Sequence, residues 1–332
     1  MENNNRPLLS ICIPTFNRGD LLNDILSKYV DNPQFDNDVE IVISDNASTD
    51  STEDICRRYV EKYSNIRYFK NEENINNKNF PVVLGLAKGE YLKLLNDWVY
   101  LDDEGLGYIK SMLKEHLVDK TNIFFSSNWI DTKYKGQDIC ICSDINDYIS
   151  VVSTFITSNN FFGVWRDDWE RIVDKDKYSE MLLQQDDWTY QLLMMKKGCI
   201  VYNKAIYKTA NIQLKVRSGY NWFQVHIDNY YKIMDPYIQS GLINRQTVKK
   251  DKRHLLVHFI PELQAALIYN SSKYWKFDTS HTWNYLWIYY RSDPYFYYFI
   301  IRLYLVFFIK IPIKLPQKLY QFTKSLYYKS KI

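Results

Sequence analysis

An α/β fold with a mostly parallel, doubly wound sheet flanked by helices, followed by a mainly helical C-terminal region, is what this sequence predicts. Three observations carry that expectation. Short apolar runs alternate with amphipathic stretches through the first half. Each run ends in a polar cluster rich in Asn, Asp or Ser. Beyond about residue 211, strand signals give way to long helical segments rich in Tyr and Trp. The boundary is therefore set at 210/211, with 1–210 as the α/β domain and 211–332 as the helical region.

Taken in order, Leu8 to Ile13 reads as a buried strand. After the turn from Pro14 to Gly19, the residues Leu21, Leu22, Ile25, Leu26 and Tyr29 recur at helical spacing. Val39 to Ser44 is a second strand. Asp50 then caps a helix, with Glu53 three residues on in a capping-box arrangement, and Ile55, Tyr59 and Tyr63 line its inner face. Ile66 to Phe69 and Phe80 to Ala87 give a third strand and helix. Glu90 to Leu95 is a fourth strand, running into Asn96-Asp97-Trp98. Asn122 to Ser126 and Cys199 to Asn203 read as further strands. Between them, Leu182 to Lys197 forms a helix stopped by Gly198 as its C′ residue.

Composition narrows the function classes. With 46% apolar and 24% charged residues over 332 positions, the chain supports a substantial core. A formal net charge of +3 gives no basis for nucleic-acid binding. The 29 Tyr and 17 Phe accompany many Asn, Lys and Ile, all with A/T-rich codons, so the aromatic excess is not by itself a sugar-binding signature. Five scattered cysteines, only Cys140 and Cys142 close together, fit reduced cytosolic thiols better than a zinc site. The polar stretch Met1 to Arg6 has no apolar core of a secretory signal. No Gly-x-Gly-x-x-Gly or Gly-Lys-Ser/Thr loop occurs, and His254 and His258 lack the Glu of a His-Glu-x-x-His site. Dehydrogenases, P-loop enzymes and zinc hydrolases are thereby disfavoured.

In an open parallel sheet, ligands bind outside the carboxyl ends of the strands. Four polar clusters stand at those ends here: Pro14-Thr15-Phe16-Asn17-Arg18, Ser44-Asp45-Asn46-Ala47-Ser48-Thr49-Asp50, Asn74-Ile75-Asn76-Asn77-Lys78-Asn79-Phe80, and Asn96-Asp97. Together they hold an aromatic ring, carboxylates that accept a base N–H, and cations for phosphate. A nucleoside diphosphate requires these three kinds of group.

On these residues the chain resembles the family-two nucleotide-sugar glycosyltransferases, inverting enzymes of the GT-A type, and among them the abequosyltransferase-like and capsule-polysaccharide branch. Leu9 to Arg18 resembles the family's opening strand and turn, Glu40 to Asp50 its second motif, and Ala87-Lys88-Gly89-Glu90-Tyr91 the approach to its metal motif. The resemblance covers roughly residues 8 to 210. It implies a nucleotide-sugar donor, with UDP the expected nucleotide, and an oligosaccharide or lipid-linked acceptor of a bacterial surface or capsular polysaccharide. It also implies work in the cytoplasm, on the inner face of the membrane. By the same resemblance Pro14, Thr15 and Phe16 flank the nucleobase, Asp45 accepts its imide N–H, and Arg18, Lys78 and Asn79 lie near the ribose or diphosphate. Ordinary readings stand beside these: a turn and helix cap for Asp45 to Asp50, and a polar loop for Asn74 to Asn79.

The metal motif departs from the family pattern, in which two acids bracket one position. With Asn96 and Asp97 in the donor site and Asp97 as the first acid, the second position is Val99, which cannot ligate. Three alternatives follow: Asp97 alone holds Mg²⁺ or Mn²⁺ with the diphosphate, Lys or Arg replaces the metal, or catalysis is weakened. The first is preferred. Asp102 and Asp103 fit better as the start of the next helix. Further on, Gln185-Asp186-Asp187-Trp188 matches the family's catalytic acid pair, so Asp186 and Asp187 form the acidic site with Asp187 as general base. Trp188 is expected near the acceptor sugar, and Arg217, in a polar loop, over the diphosphate.

Near the end, Tyr295 to Ile309 is almost wholly apolar apart from Arg302. At about 15 residues it is shorter than the roughly 20 a membrane span needs. Residues 295–311 with the lysines that follow suit interfacial contact with anionic lipid, beside the plainer reading of a buried terminal helix. The C-terminal helices leave three uses open: lipid contact, a homo-oligomer interface, or a wall of the acceptor cleft. A catalytically weakened scaffold or sugar-binding module is the alternative function.

Overall fold

The computed structural model describes residues 6–126, 137–210, 220–258, 278 and 280–310. Two compact units form: Met1–Lys215 with Asn229–Asn244, and Val216–Asp228 with Arg245–Ile332.

The first unit is built on a sheet. Its strands β1 (Leu9–Thr15), β2 (Val39–Asp45), β3 (Ile66–Lys70) and β4 (Tyr91–Leu94) are all parallel, in spatial order β3-β2-β1-β4. All seven residues of β2 are buried, as expected where helices cover both faces of a parallel sheet. Helices α1 (Gly19–Val30), α2 (Thr52–Lys62) and α3 (Asn79–Leu86) supply the cover. The helical-period residues Leu21, Leu22, Ile25, Leu26 and Tyr29 are all buried, so hydrophobic spacing gave the packing face of α1 correctly.

The expected capping box is absent. Asp50 accepts from the backbone N–H of Thr52 at 3.0 Å and of Gly19 at 3.2 Å. Glu53 pairs with Arg57 and Lys70, each at 2.7 Å, and so does not reach back to the cap.

Beyond β4 the expected strands and helix form at Ile123–Phe125, Cys199–Tyr202 and Gln184–Met195, among shorter elements that the sequence pattern did not show. A short strand β5 (Val99–Leu101) precedes α4 (Asp103–Glu115), whose N-cap Asp102 accepts from Gly105 N–H at 2.9 Å. Asp102 thus starts this helix, as the sequence suggested. Strands β6 (Ile123–Phe125) and β7 (Ile139–Cys142), helix α5 (Ile145–Val152), strand β8 (Gly163–Trp165), helices α6 (Arg166–Arg171) and α7 (Gln184–Met195), and strands β9 (Cys199–Tyr202) and β10 (Tyr207–Thr209) follow. Strand β8 pairs antiparallel with β4 at the sheet edge, β5 and β10 form a ribbon, and β6-β9-β7 make a separate sheet. The unit is completed by α8 (Tyr230–Gln239).

The Ala87-to-Tyr91 motif has a packing role. Gly89 N–H donates to Ser10 Oγ at 2.7 Å and to Glu40 Oε1 at 3.1 Å, while Lys88 N–H donates to the same Glu40 oxygen. A Cβ on Gly89 would stand 2.5 Å from Ser10 Oγ and 2.8 Å from Ser10 N, so only glycine fits this close approach.

The second unit contains α9 (Arg245–His258), α10 (Thr282–Tyr290) and α11 (Pro294–Lys310). Arg253 forks onto Asp293 with two 2.8 Å hydrogen bonds, joining α9 to the start of α11. Among the described residues, no helix is long and apolar enough to cross a membrane. The terminal lysines beyond Lys310 and the Arg217 loop lie outside the described residues.

Candidate nucleotide-sugar site

Strand order reverses between β1 and β4, since the chain runs outward from β1 to β3 on one side and places β4 on the other. Such a switch point opens a crevice at the strand carboxyl ends. Two side chains from the β1 turn meet Asp97 there. Thr15 Oγ donates to Asp97 Oδ2 at 3.0 Å, and Arg18 Nε stands 4.0 Å from the same oxygen. The Arg18 side chain is 38% exposed and Phe16 is 41% exposed. Pro14 is half-buried and Thr15 is buried.

The first two motifs prove to be one structural object. Asn17 N–H donates to Ser48 Oγ, and Asn17 Oδ1 accepts from Thr49 N–H, both at 2.8 Å. Arg18 N–H donates to Thr52 Oγ at 3.1 Å. The turns after β1 and β2 are therefore laced together, which is why both patterns are needed in tandem. Asn17, Ala47 and Asn76 sit at φ 53°, 62° and 51°, a left-handed region unfavourable for residues other than Gly and Asn. Of the three, Ala47 is the residue whose backbone is strained.

Several expected donor contacts take other roles. Asp45 is fully buried. Its Oδ1 accepts from Ser48 N–H and Oγ, and its Oδ2 from Tyr68 Oη at 2.6 Å. The carboxylate is buried and braces its own turn, so the imide contact expected of it is not offered by an exposed oxygen. Burial, then the Asp45 charge, pushes the Tyr68 phenol up, keeping it a donor. Asn79, 2% exposed, is likewise spent: Oδ1 accepts from Ser44 Oγ and Asn71 Nδ2, and Nδ2 donates to Ser44 O. It ties α3 to β2 and does not face a diphosphate. Lys78 remains available, with a 55% exposed side chain 4.0 Å from Asp176. Asn96 is placed by its backbone N–H, which donates to Asn160 Oδ1 at 2.8 Å.

The acid pair lies on the first turn of α7. Gln184 Nε2 donates to Asn77 O at 3.0 Å and so ties the head of α7 to the loop beyond β3. Asp187 is 4% exposed; its Oδ1 accepts from Tyr237 Oη at 2.7 Å and its Oδ2 from Gln191 Nε2 at 2.8 Å. Asp186 differs sharply. It is fully buried, and neither carboxyl oxygen has a hydrogen-bond partner. Burial, then the Asp187 charge, pushes its carboxyl well above the usual range, so it holds its proton. A buried group of this kind does not touch substrate, which corrects its place among the catalytic residues. Trp188 is also corrected. It is 1% exposed, stacks edge-on with Phe162 and Trp169 at 5.1 and 5.0 Å, and donates to Lys175 O at 2.8 Å. Its ring packs the core and is not presented to an acceptor.

Sequence reasoning missed Tyr237 and Gln191. Gln191 stands one helical turn after Asp187, a spacing at which side chains meet. Tyr237 carried no signal, being one of 29 tyrosines.

No group of three or more His, Cys, Asp or Glu converges among the described residues in a way that would hold a metal. Val99, at the second acidic position, is 1% exposed within β5 and part of the core. Asp97 therefore offers one carboxylate. Mg²⁺ commonly takes one or two carboxylates and fills its shell with substrate phosphates and water, so Asp97 fits such an ion together with a diphosphate but not alone.

The sheet, switch point and strand-end cluster define a GT-A type fold with a helical C-terminal region. Residues 10–126 match the model of Glycosyl transferase family 2, and the chain carries a domain of that family. It is similar to abequosyltransferase RfbV of Salmonella typhimurium, 33% identical over 135 residues, which are 40% of this chain and 38% of that protein. It is also similar to the Campylobacter jejuni GalNAc(5)-diNAcBac-PP-undecaprenol beta-1,3-glucosyltransferase, 27% identical over 258 residues, 74% of this chain and 77% of that one. The matches span only 38% of abequosyltransferase RfbV and 18% of a Bacillus spizizenii poly(ribitol-phosphate) beta-glucosyltransferase. Among solved structures, Staphylococcus aureus TarS residues 1–349 in complex with UDP superimposes with a TM-score of 0.52 at 17% identity, covering 80% of this chain and 73% of that one. The mannosyltransferase PcManGT from Pyrobaculum calidifontis, in complex with GDP-Man and Mn²⁺, gives 0.53 at 15% identity, covering 90% and 86%. At these identities the likeness is one of fold.

Proposed function

We propose that this protein is an inverting glycosyltransferase. It would move a sugar from a nucleotide-sugar donor, UDP being the expected nucleotide, to a polysaccharide or lipid-linked acceptor on the cytoplasmic side of a bacterial envelope. The observation that carries this reading is the meeting of Thr15 and Arg18 with Asp97 at the switch point. The acceptor hydroxyl oxygen attacks the anomeric carbon while the bond from that carbon to the diphosphate breaks. Asp187 takes the hydroxyl proton, and the electron pair leaves with the nucleoside diphosphate. Phe16 offers its exposed ring to the base, and Arg18 and Lys78 bring positive charge to the leaving group. A divalent ion held by Asp97 and the diphosphate would supply further charge neutralisation there.

Calorimetric titration with UDP, once with Mn²⁺ and once with excess chelator, tests the donor site. Binding that needs the metal supports the Asp97 cation site, whereas equal binding in both assigns the diphosphate to Arg18 and Lys78. Absence of binding to UDP, GDP, CDP and dTDP would remove the donor reading. The buried Val99 side chain favours a second reading, a scaffold or sugar-binding module with weakened catalysis. Nucleotide binding without turnover over a panel of UDP-sugars and acceptors would select it.

Membrane attachment belongs to the same proposal. Trp283, Trp287 and Ile288 on α10 and Tyr297, Tyr298 and Ile301 on α11 are between 39% and 59% exposed. After Asp293 the sequence holds no further Asp or Glu, while Arg302, Lys310 and five later lysines are cationic. Aromatic and aliphatic exposure beside positive charge fits an anionic bilayer surface. Deleting residues 295–332 should release the chain from phosphatidylglycerol vesicles, and equal binding by the shortened chain would remove the claim.

A further inference from the structure

The two acids at the head of α7 are neighbours in sequence, yet their surroundings differ in every respect. Asp187 receives one donor on each oxygen, the Tyr237 phenol at 2.7 Å and the Gln191 amide at 2.8 Å. Asp186 is fully buried, with both oxygens unpartnered. Two like charges on adjacent buried side chains cannot both be accommodated cheaply, so one proton must stay on the pair.

We propose that Tyr237 is a positioning residue for Asp187: with Gln191 it fixes which member of the acid pair carries the charge and how that carboxylate is turned. The inference rests on the reading of Asp187 as general base, and it brings α8 into the site. One lone-pair direction on each Asp187 oxygen is used by these donors, which leaves the others for an acceptor hydroxyl. Burial, then the Asp187 charge, pushes the Tyr237 phenol up, so it donates throughout the neutral range. The groups facing Asp187 are Asp186 on its own helix, Lys177 from the segment before it, and Tyr237 from α8. Lys177 is the cation among them, and its strongest partner is the Tyr178 phenol.

The packing role is separable from the donor role. The Tyr237 ring meets Tyr190 edge-on at 5.0 Å, a contact that Tyr237→Phe keeps and Tyr237→Leu loses. The test uses the full chain labelled with ¹³C at the aspartate carboxyls, with resonances assigned through Asp186→Asn and Asp187→Asn. In Tyr237→Phe the Asp187 carboxyl resonance at neutral pH should move from its place in the parent, and turnover should fall by about tenfold, the effect of removing one hydrogen bond to a charged group. The Asp186 carboxyl should keep its protonated shift through neutral pH in both proteins. An unmoved Asp187 resonance with unchanged turnover in Tyr237→Phe, and stability lost only in Tyr237→Leu, would overturn the proposal and leave Tyr237 as packing. So would an Asp186 carboxyl that shows the ionised shift at neutral pH. The base reading fails separately: it falls if Asp187→Asn keeps its turnover, whatever the resonances show.

Discussion

The molecule holds two acidic positions of contrasting kind. Asp97 stands at a half-open strand end beside an exposed guanidinium, where a charged ligand can compete for it. The acid pair on α7 is closed in, and its donors are a neutral phenol and a neutral amide. A carboxylate meant to share its charge with an incoming diphosphate and cation gains from solvent access and a displaceable partner. A carboxylate meant to take a proton gains from fixed neutral donors and low polarity, which hold its geometry without cancelling its charge. The difference in surroundings suits Asp97 to the binding role and Asp187 to the proton-transfer role proposed for them.

The largest effect expected from this division is at Asp187. Asp187→Asn should lower turnover by about 10²–10⁴-fold, with UDP affinity by calorimetry within about twofold of the parent. A parallel loss of affinity would erase the distinction between the two acids. Asp97→Asn should do the reverse, weakening UDP binding in Mn²⁺ by about tenfold, or about 1.4 kcal/mol. An unchanged dissociation constant with lost turnover would move Asp97 into the proton-transfer class.

A smaller effect follows from the raised Asp186 carboxyl. The folded chain keeps a proton that the unfolded chain releases near pH 4, so stability conferred by that proton is full below pH 4 and declines as pH rises. Asp186→Asn removes the titration. Its melting temperature should gain on the parent from about pH 4 upward and show no gain below it; a constant difference at all pH values would mean that Asp186 is ionised in the fold. Smallest is the effect expected at Trp188. Trp188→Phe loses the hydrogen bond to Lys175 O and should cost about 1–2 kcal/mol of stability by denaturant unfolding, with acceptor affinity unchanged. A selective loss of acceptor affinity would return Trp188 to the substrate.

The same contrast explains what could be read from the sequence. The sheet was legible because its strands are continuous apolar runs and α1 keeps a strict helical period, both local properties. The strand-end turns were legible because Asp45 and Asp50 accept from backbone N–H groups three and two residues on, which is short-range turn chemistry. What escaped depends on burial by distant segments. Asp45 and Asn79 look like ligand groups in sequence, yet Tyr68, Ser44 and Asn71 consume their hydrogen bonds. Asp186 and Asp187 are indistinguishable in a string of letters; the burial of Asp186, Gln191 and, fifty residues away on α8, Tyr237 separate them. The ribbon of β5 and β10 was missed because each strand has only three residues, too few to show a period.

One feature of the first unit bears on how the protein is made. Its main segment ends at Lys215, and the chain returns to it only with Asn229–Asn244. A ribosome releases the sheet, both laced turns and the acid pair before Tyr237 exists. The nascent chain therefore carries every recognisable motif while Asp187 still lacks its phenol donor, and the charge on the pair is settled only when α8 docks. Order of synthesis gives the fold a built-in delay between assembling the strand-end crevice and finishing the hydrogen bonds of its acid pair.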